Sequence, residues 1–171
     1  MSKYFYGCIT ILLLSAYSGL AQQYVRKNEV VIFSFETNEH KRCVLAKDNG
    51  DSYIVYRFGT ASKIELEYPP MNHASWQKMK YFYYMRPRFD LNYLNFVRGN
   101  FRYVLYETSS DEEDDGDSGA DNHFEEVGVK VLSLDGKLIS RQAAKIGTQK
   151  GTLIALREDD MIGQGEEYSQ E

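Results

Sequence analysis

Lys41 to Phe58 reads KRCVLAKDNGDSYIVYRF, two apolar runs on either side of Asp48-Asn49-Gly50-Asp51. An Asn-Gly pair between such runs is the strongest short-range hairpin signal, because both residues tolerate positive φ. The stretch therefore predicts two antiparallel strands, Lys41 to Lys47 and Ser52 to Phe58, joined by a tight turn at Asn49-Gly50.

The same pattern continues outward. Glu29 to Phe35 (EVVIFSF) is rich in β-branched and aromatic residues, which suit a pleated surface. In Lys63 to Tyr68, alternation puts Ile64, Leu66 and Tyr68 on one face and Lys63, Glu65 and Glu67 on the other. Pro69-Pro70 ends that strand, since neither residue can donate to a ladder. A loop from Met71 to Lys78 holds His73 and the only tryptophan, Trp76. Met79 to Met85 is almost continuously aromatic, and Leu91 to Arg98 and Phe101 to Glu107 straddle Gly99-Asn100, a second hairpin signal. Val127, Val129 and Val131 alternate, and Asp135-Gly136 turns the chain into Lys137 to Arg141. Gly147 to Gly151 is loose, and Thr152 to Glu158 fits a last strand or a short helix. About eight short strands joined by hairpins predict an all-β fold, an antiparallel barrel or sandwich.

The first residues read differently. Lys3 is the one charge ahead of an apolar run from Tyr4 to Ala16, and Gly19 and Ala21 place small side chains before a cut at Gln22. The run is short of the roughly twenty residues that span a bilayer. The expected organisation is a signal peptide at 1–21, one β domain at 22–162 and a flexible polar tail at 163–171, in a secreted or periplasmic protein with no stable membrane insertion. Of the two cysteines, Cys8 leaves with the signal, so Cys43 stands without an internal partner, as a small buried hydrophobe or as a reactive or intermolecular thiol.

Charge is uneven. Residues 22–106 carry a net +5 and residues 127–171 a net −1, whereas 107–126 hold ten acidic residues and no Lys or Arg. The acidic loop 107–126, with Asp111, Glu112, Glu113, Asp114, Asp115, Asp117 and Asp121, supports three readings: a self-repelling hairpin tip, a contact element for a basic partner, or a calcium site. The calcium reading is poor in ligands, because Asn122 falls where a bidentate glutamate is needed and no helices flank the loop. His40, His73 and His123 are far apart in sequence, and neither a nucleophile elbow nor a phosphate-cradling glycine loop is present. Arg86, Arg88, Arg98 and Arg102 interleave with tyrosines as in single-strand nucleic-acid binders. An exported, acidic chain argues against that partner.

The run Tyr53-Ile54-Val55-Tyr56-Arg57-Phe58-Gly59, followed by Glu65-Leu66-Glu67-Tyr68-Pro69, resembles small secreted or periplasmic all-β proteins of Gram-negative bacteria. The likeness extends weakly through Phe101 to Tyr106 and Lys137 to Ser140. It implies an all-β envelope protein and supplies no activity. In that group a second cysteine is expected near the last hairpin to pair with Cys43, and here Ala143 and Ala144 stand in that region. By size and compartment the chain is also similar, at class level, to periplasmic inhibitor and immunity proteins.

The function these readings favour is non-catalytic: a binding protein docking a partner protein, a basic enzyme or toxin, as an inhibitor or immunity-type factor. The candidate contacts are Tyr83, Tyr84 and Trp76 together with Asp111, Glu112, Glu113, Asp114, Asp115 and Asp117; no cofactor is implied. The alternatives are an envelope module binding glycan or protein through its tyrosine-rich strands, and a hydrolase built on two carboxylates that meet in space.

Overall fold

The computed structural model describes residues 24–112 and 122–166. The expected signal peptide and acidic residues Glu113 to Asp121 lie outside the described residues.

The chain first makes a meander of β1 (Glu29–Glu36), β2 (Lys41–Asp48), β3 (Ile54–Thr60) and β4 (Lys63–Tyr68). A 3₁₀ turn, His73–Lys78, carries it to a second meander: β5 (Met79–Arg86), β6 (Phe89–Arg98), β7 (Phe101–Glu112), β8 (Asn122–Ser133) and β9 (Leu138–Ala143). The end of the chain then stitches the two sheets together. Strand β10 (Lys150–Gly151) pairs with β1, a second 3₁₀ turn (Leu153–Leu156) plugs the core, and β11 (Gly163–Gln164) pairs in parallel with β5. The result is an all-β sandwich of two sheets, ordered β10-β1-β2-β3-β4 and β11-β5-β6-β7-β8-β9. It is not a closed barrel.

Side chains that alternate along each strand divide between the faces. Phe33, Cys43, Leu45, Ile54 and Tyr56 of the first sheet meet Tyr81, Leu94, Phe96 and Leu105 of the second in the main core. Val44, Ala46 and Val55 point to the opposite face of the first sheet, where Tyr24 and Val25 cover them. The outer face of the second sheet carries Leu91, Tyr93, Val104 and Tyr106. There the Tyr106 ring lies across Gly128, where an added Cβ would sit 2.5 Å from the phenol oxygen.

Four sequence expectations need correction. Ile64 packs against the outer cluster while Leu66 belongs to the core, because a bulge between Phe58 and Gly59 breaks the strict alternation of β4. The Asp48–Asp51 turn places its positive φ at Asp51 (56°), not at Asn49 or Gly50; the Asp51 N–H donates to the Asp48 carbonyl at 3.0 Å. Strands β7 and β8 run twelve residues each, so the flanks of the acidic segment are paired sheet and not loop. Gly163 and Gln164, expected in a polar tail, are held against β5, and the Gly165 N–H donates to the Tyr81 carbonyl at 2.7 Å. Cys43 is free and fully buried, and burial pushes its thiol well above the ordinary value, which keeps it protonated. Ala144 borders the core cluster that contains Cys43.

Candidate docking surface

Tyr53 to Gly59 builds the inside of the molecule, whereas in Glu65 to Tyr68 both glutamates are exposed. A bulge after Val31 rotates β1, so that Glu29 and Val31 face outward while Phe33 and Phe35 enter the core. Glu29 then meets Arg57, whose side chain is wholly buried. Arg57 Nη1 donates to Glu29 Oε2 at 2.7 Å and to the Tyr24 carbonyl at 2.8 Å, Nη2 donates to Glu29 Oε1 at 2.8 Å, and Nε donates to Glu67 Oε2 at 2.6 Å. The Tyr53 hydroxyl adds a bond to Glu29 Oε1 at 3.0 Å. Burial alone would raise the Glu29 carboxyl, but the bonds from Arg57 and the Arg26 amide hold it below its ordinary value. Gly59 is required because a Cβ would lie 2.3 Å from the Lys63 carbonyl oxygen. The cluster ties residues 24–29 to the first sheet and encloses the Arg57–Glu29 pair, with Glu67 at its solvent-facing edge. Glu65, on the same strand as Glu67, accepts from Lys41 Nζ at 2.8 Å.

Trp76 is likewise excluded as a contact. The 3₁₀ turn aims it inward, where it is 1% exposed and its indole N–H donates to the Asp51 carbonyl at 3.0 Å. It seals one end of the core.

The other candidates gather at one end of the second sheet. Tyr83, Tyr84 and Met85 are 42%, 45% and 61% exposed, next to the Pro87-Arg88 turn that joins β5 to β6. Arg88 takes a φ of 63° there, the left-handed position of a tight turn with proline before it. Asp111 is exposed on β7, and its N–H donates to the Arg88 carbonyl at 3.0 Å. The fold thus places the start of the acidic segment against the tyrosine hairpin, around a shallow cavity of about 230 Å³ lined by Met85, Arg86, Arg88, Phe89, Asp90, Ser109, Ser110 and Asp111. Glu112 pairs in register with Asn122 as the last residue of β7. Glu113, Asp114, Asp115 and Asp117 lie outside the described residues.

Two acidic residues that the sequence assigns to the charged loop have structural partners instead. Glu107 is 7% exposed and accepts from Gln149 Nε2 (2.8 Å), Thr152 Oγ1 (2.7 Å) and the Leu153 amide (2.6 Å), which fixes the second 3₁₀ turn to β7. Glu126 accepts from the Tyr106 hydroxyl at 2.9 Å and pairs with Arg141.

That anchored turn delivers a residue that sequence reasoning missed. Arg157 follows it, bonds both carboxylate oxygens of Asp90 at 3.1 Å and Asn92 Oδ1 at 3.2 Å, and lies over the Tyr83 ring, 4.6 Å from its centroid. Desolvation works against its charge, but Asp90 and Tyr81 hold its pKa above the ordinary value. Burial pushes the Tyr81 phenol up to about 12, against the pull of Arg157, so it stays protonated and donates to Asn92 Oδ1 at 2.5 Å. No local pattern links Arg157 to Asp90, 67 positions away.

Comparison of the chain with protein-family models, curated proteins and solved structures finds no match. Among the described residues no three His, Cys, Asp or Glu side chains group to hold a metal ion, and no helix is long and apolar enough to cross a membrane. At the β5–β6 end Tyr83 and Met85 are exposed on the face where Arg157 lies and Tyr84 on the other face beside Phe89, with Asp111 at the rim. Such a surface suits adhesion, since tyrosine offers large contact area at little conformational cost.

Proposed function

We propose that the protein is exported and acts without catalysis, docking a partner protein in the cell envelope as an inhibitor or immunity-type factor. The observation that carries this reading is the run Tyr83-Tyr84-Met85, exposed on a hairpin braced by Arg157. Exposed apolar surface on an otherwise well-packed domain marks an interaction site more often than a folding need. Aromatic and methionine side chains are enriched at interfaces, and arginine and tyrosine dominate their energetics. Asp111 at the rim, at the start of the acidic segment, favours a basic partner by speeding encounter and fixing orientation.

The test is capture from a cell-envelope extract on immobilised protein, comparing wild type with a Tyr84→Ser/Met85→Ser double variant. The expected result is one discrete protein retained by wild type and lost from the variant. Capture that the double variant leaves unchanged overturns the reading.

A further inference from the structure

Among the described residues, strand β8 is paired along the whole of one flank and only part of the other. Strand β7 lines the first, from Glu112↔Asn122 to Phe101↔Ser133, whereas β9 lines the second only from Leu132↔Leu138 to Gly128↔Ala143. Strand β9 leaves because the chain crosses to the first sheet: Ala144 bridges Thr37, and the Lys145 N–H donates to the Glu36 carbonyl at 2.6 Å. Its last tie to β8 is the Ala144 N–H, which donates to the Val127 carbonyl at 2.8 Å.

The N–H and C=O of one strand residue project to the same side, and successive residues alternate. The Val127 carbonyl faces the vacated flank, so both backbone groups of Glu125 face it too. Among the described residues no strand lies along that flank at Glu125. A cavity of about 570 Å³ occupies the track β9 would have followed, with Glu125 and Val127 on the sheet side and Ala144, Lys145 and Ile146 opposite. Ile146 is 99% exposed, and it is held there by a turn in which the Thr148 N–H donates to the Lys145 carbonyl at 3.1 Å and Gly147 takes a φ of 75°. A fully exposed isoleucine on a pinned turn beside an unfilled ladder makes the wall of a groove.

We propose that this vacated track is a strand-addition slot, taking an extended segment of the partner that carries lysine or arginine. The segment pairs through its backbone with β8 at Glu125 and lays an apolar side chain between Val127 and Ile146, the usual division in strand addition between main-chain affinity and side-chain selectivity. The positive charge of the segment is set by Glu125, exposed at the slot, and by the seven acidic residues from 111 to 121 that precede it in the sequence with no Lys or Arg among them; Lys145 is the one cation of the lining. The slot rests on the docking reading above and specifies how the partner is held.

The probe is acetyl-Lys-Val-Lys-Val-Lys-amide, titrated into the ¹⁵N-labelled protein, with a second peptide of equal charge N-methylated on the residues that would face β8. The expected result is saturable binding with slowed hydrogen exchange at the Glu125 amide, and affinity about tenfold or more lower for the methylated peptide, the equivalent of one to two lost hydrogen bonds. Glu125→Pro removes the N–H on the open side, where a strand tolerates proline, so it keeps the melting temperature of wild type within a few degrees and loses the peptide. Glu125→Gln, which removes only the charge, keeps most of the affinity. Equal binding of the two peptides, or binding that survives Glu125→Pro, overturns the slot. Tyr84→Ser leaves peptide binding unchanged. Partner capture that survives Glu125→Pro but not Tyr84→Ser/Met85→Ser overturns the slot alone, whereas peptide binding at Glu125 alongside capture indifferent to the double variant overturns the hairpin reading alone.

Discussion

Arg57 and Arg157 each meet a carboxylate and a tyrosine, but one assembly is shut and the other open. Arg57 is wholly buried, forked onto Glu29, which the Tyr53 hydroxyl also bonds, and held by Glu67 and the Tyr24 carbonyl. Arg157 keeps 21% of its side-chain surface exposed, pairs with Asp90 and lies over a tyrosine ring that itself faces solvent. The difference comes from what lies on top. Residues 24–29 fold over Arg57, whereas Arg157 arrives late in the chain, on a short 3₁₀ turn at the end of the sandwich. A sealed ion cluster spends its interactions on holding the fold together. An open one stiffens a surface and leaves that surface available. On this contrast, the run Tyr53 to Gly59 serves folding, and the proposed docking site lies elsewhere.

Three perturbations bear on the contrast. Arg57→Ala leaves Glu29 without its counter-ion in a buried site, which costs about 3–5 kcal/mol; urea unfolding checks this, and a loss under about 1 kcal/mol would remove the sealed-cluster account. Acid gives a smaller effect. The folded Glu29 pKa is depressed, so its contribution to stability is present above the ordinary glutamate value and disappears as pH falls through the lower folded value. Melting temperature should therefore drop as the pH goes below about 4, and Glu29→Gln, less stable at neutral pH, should show a shallower drop. Arg157→Ala is the mildest: a part-exposed ion pair and a cation–π contact together contribute about 1 kcal/mol. Its larger signature is a Tyr83 ring freed from its brace, visible as faster ring-carbon relaxation by NMR.

The strands β1 and β2 were legible from dense β-branched and apolar runs beside turn residues, β4 from its alternation and β9 from the Asp135-Gly136 turn before it. The two bulges were not. Nothing local in Val31-Ile32-Phe33 or Phe58-Gly59 signals that the register slips there, yet the slip after Val31 is what turns Glu29 towards Arg57. The burial of Arg57 did leave a trace, an arginine inside the apolar run Tyr53 to Phe58, where an exposed strand face would alternate. Tyr83 and Tyr84 stand out in the sequence by their density of rings, and the structure leaves both exposed. Trp76 was misplaced because a lone tryptophan in a loop reads as exposed, and only the 3₁₀ turn shows which way it points. Glu107 and Glu126 were counted with the acidic run, although their partners, Leu153, Thr152 and Arg141, come from distant parts of the chain. Strands of two residues, β10 and β11, are set by tertiary pairing and have no periodicity to read.

The most direct test places a photo-crosslinking amino acid at Met85, on the open hairpin, and in a second protein at Lys63, an exposed position on β4 near the sealed cluster. Irradiated in cell-envelope extract, the protein labelled at 85 should give one discrete adduct, and that labelled at 63 should give none. The same adduct from both positions, or an adduct from 63 alone, would contradict the assignment of docking to the β5–β6 end.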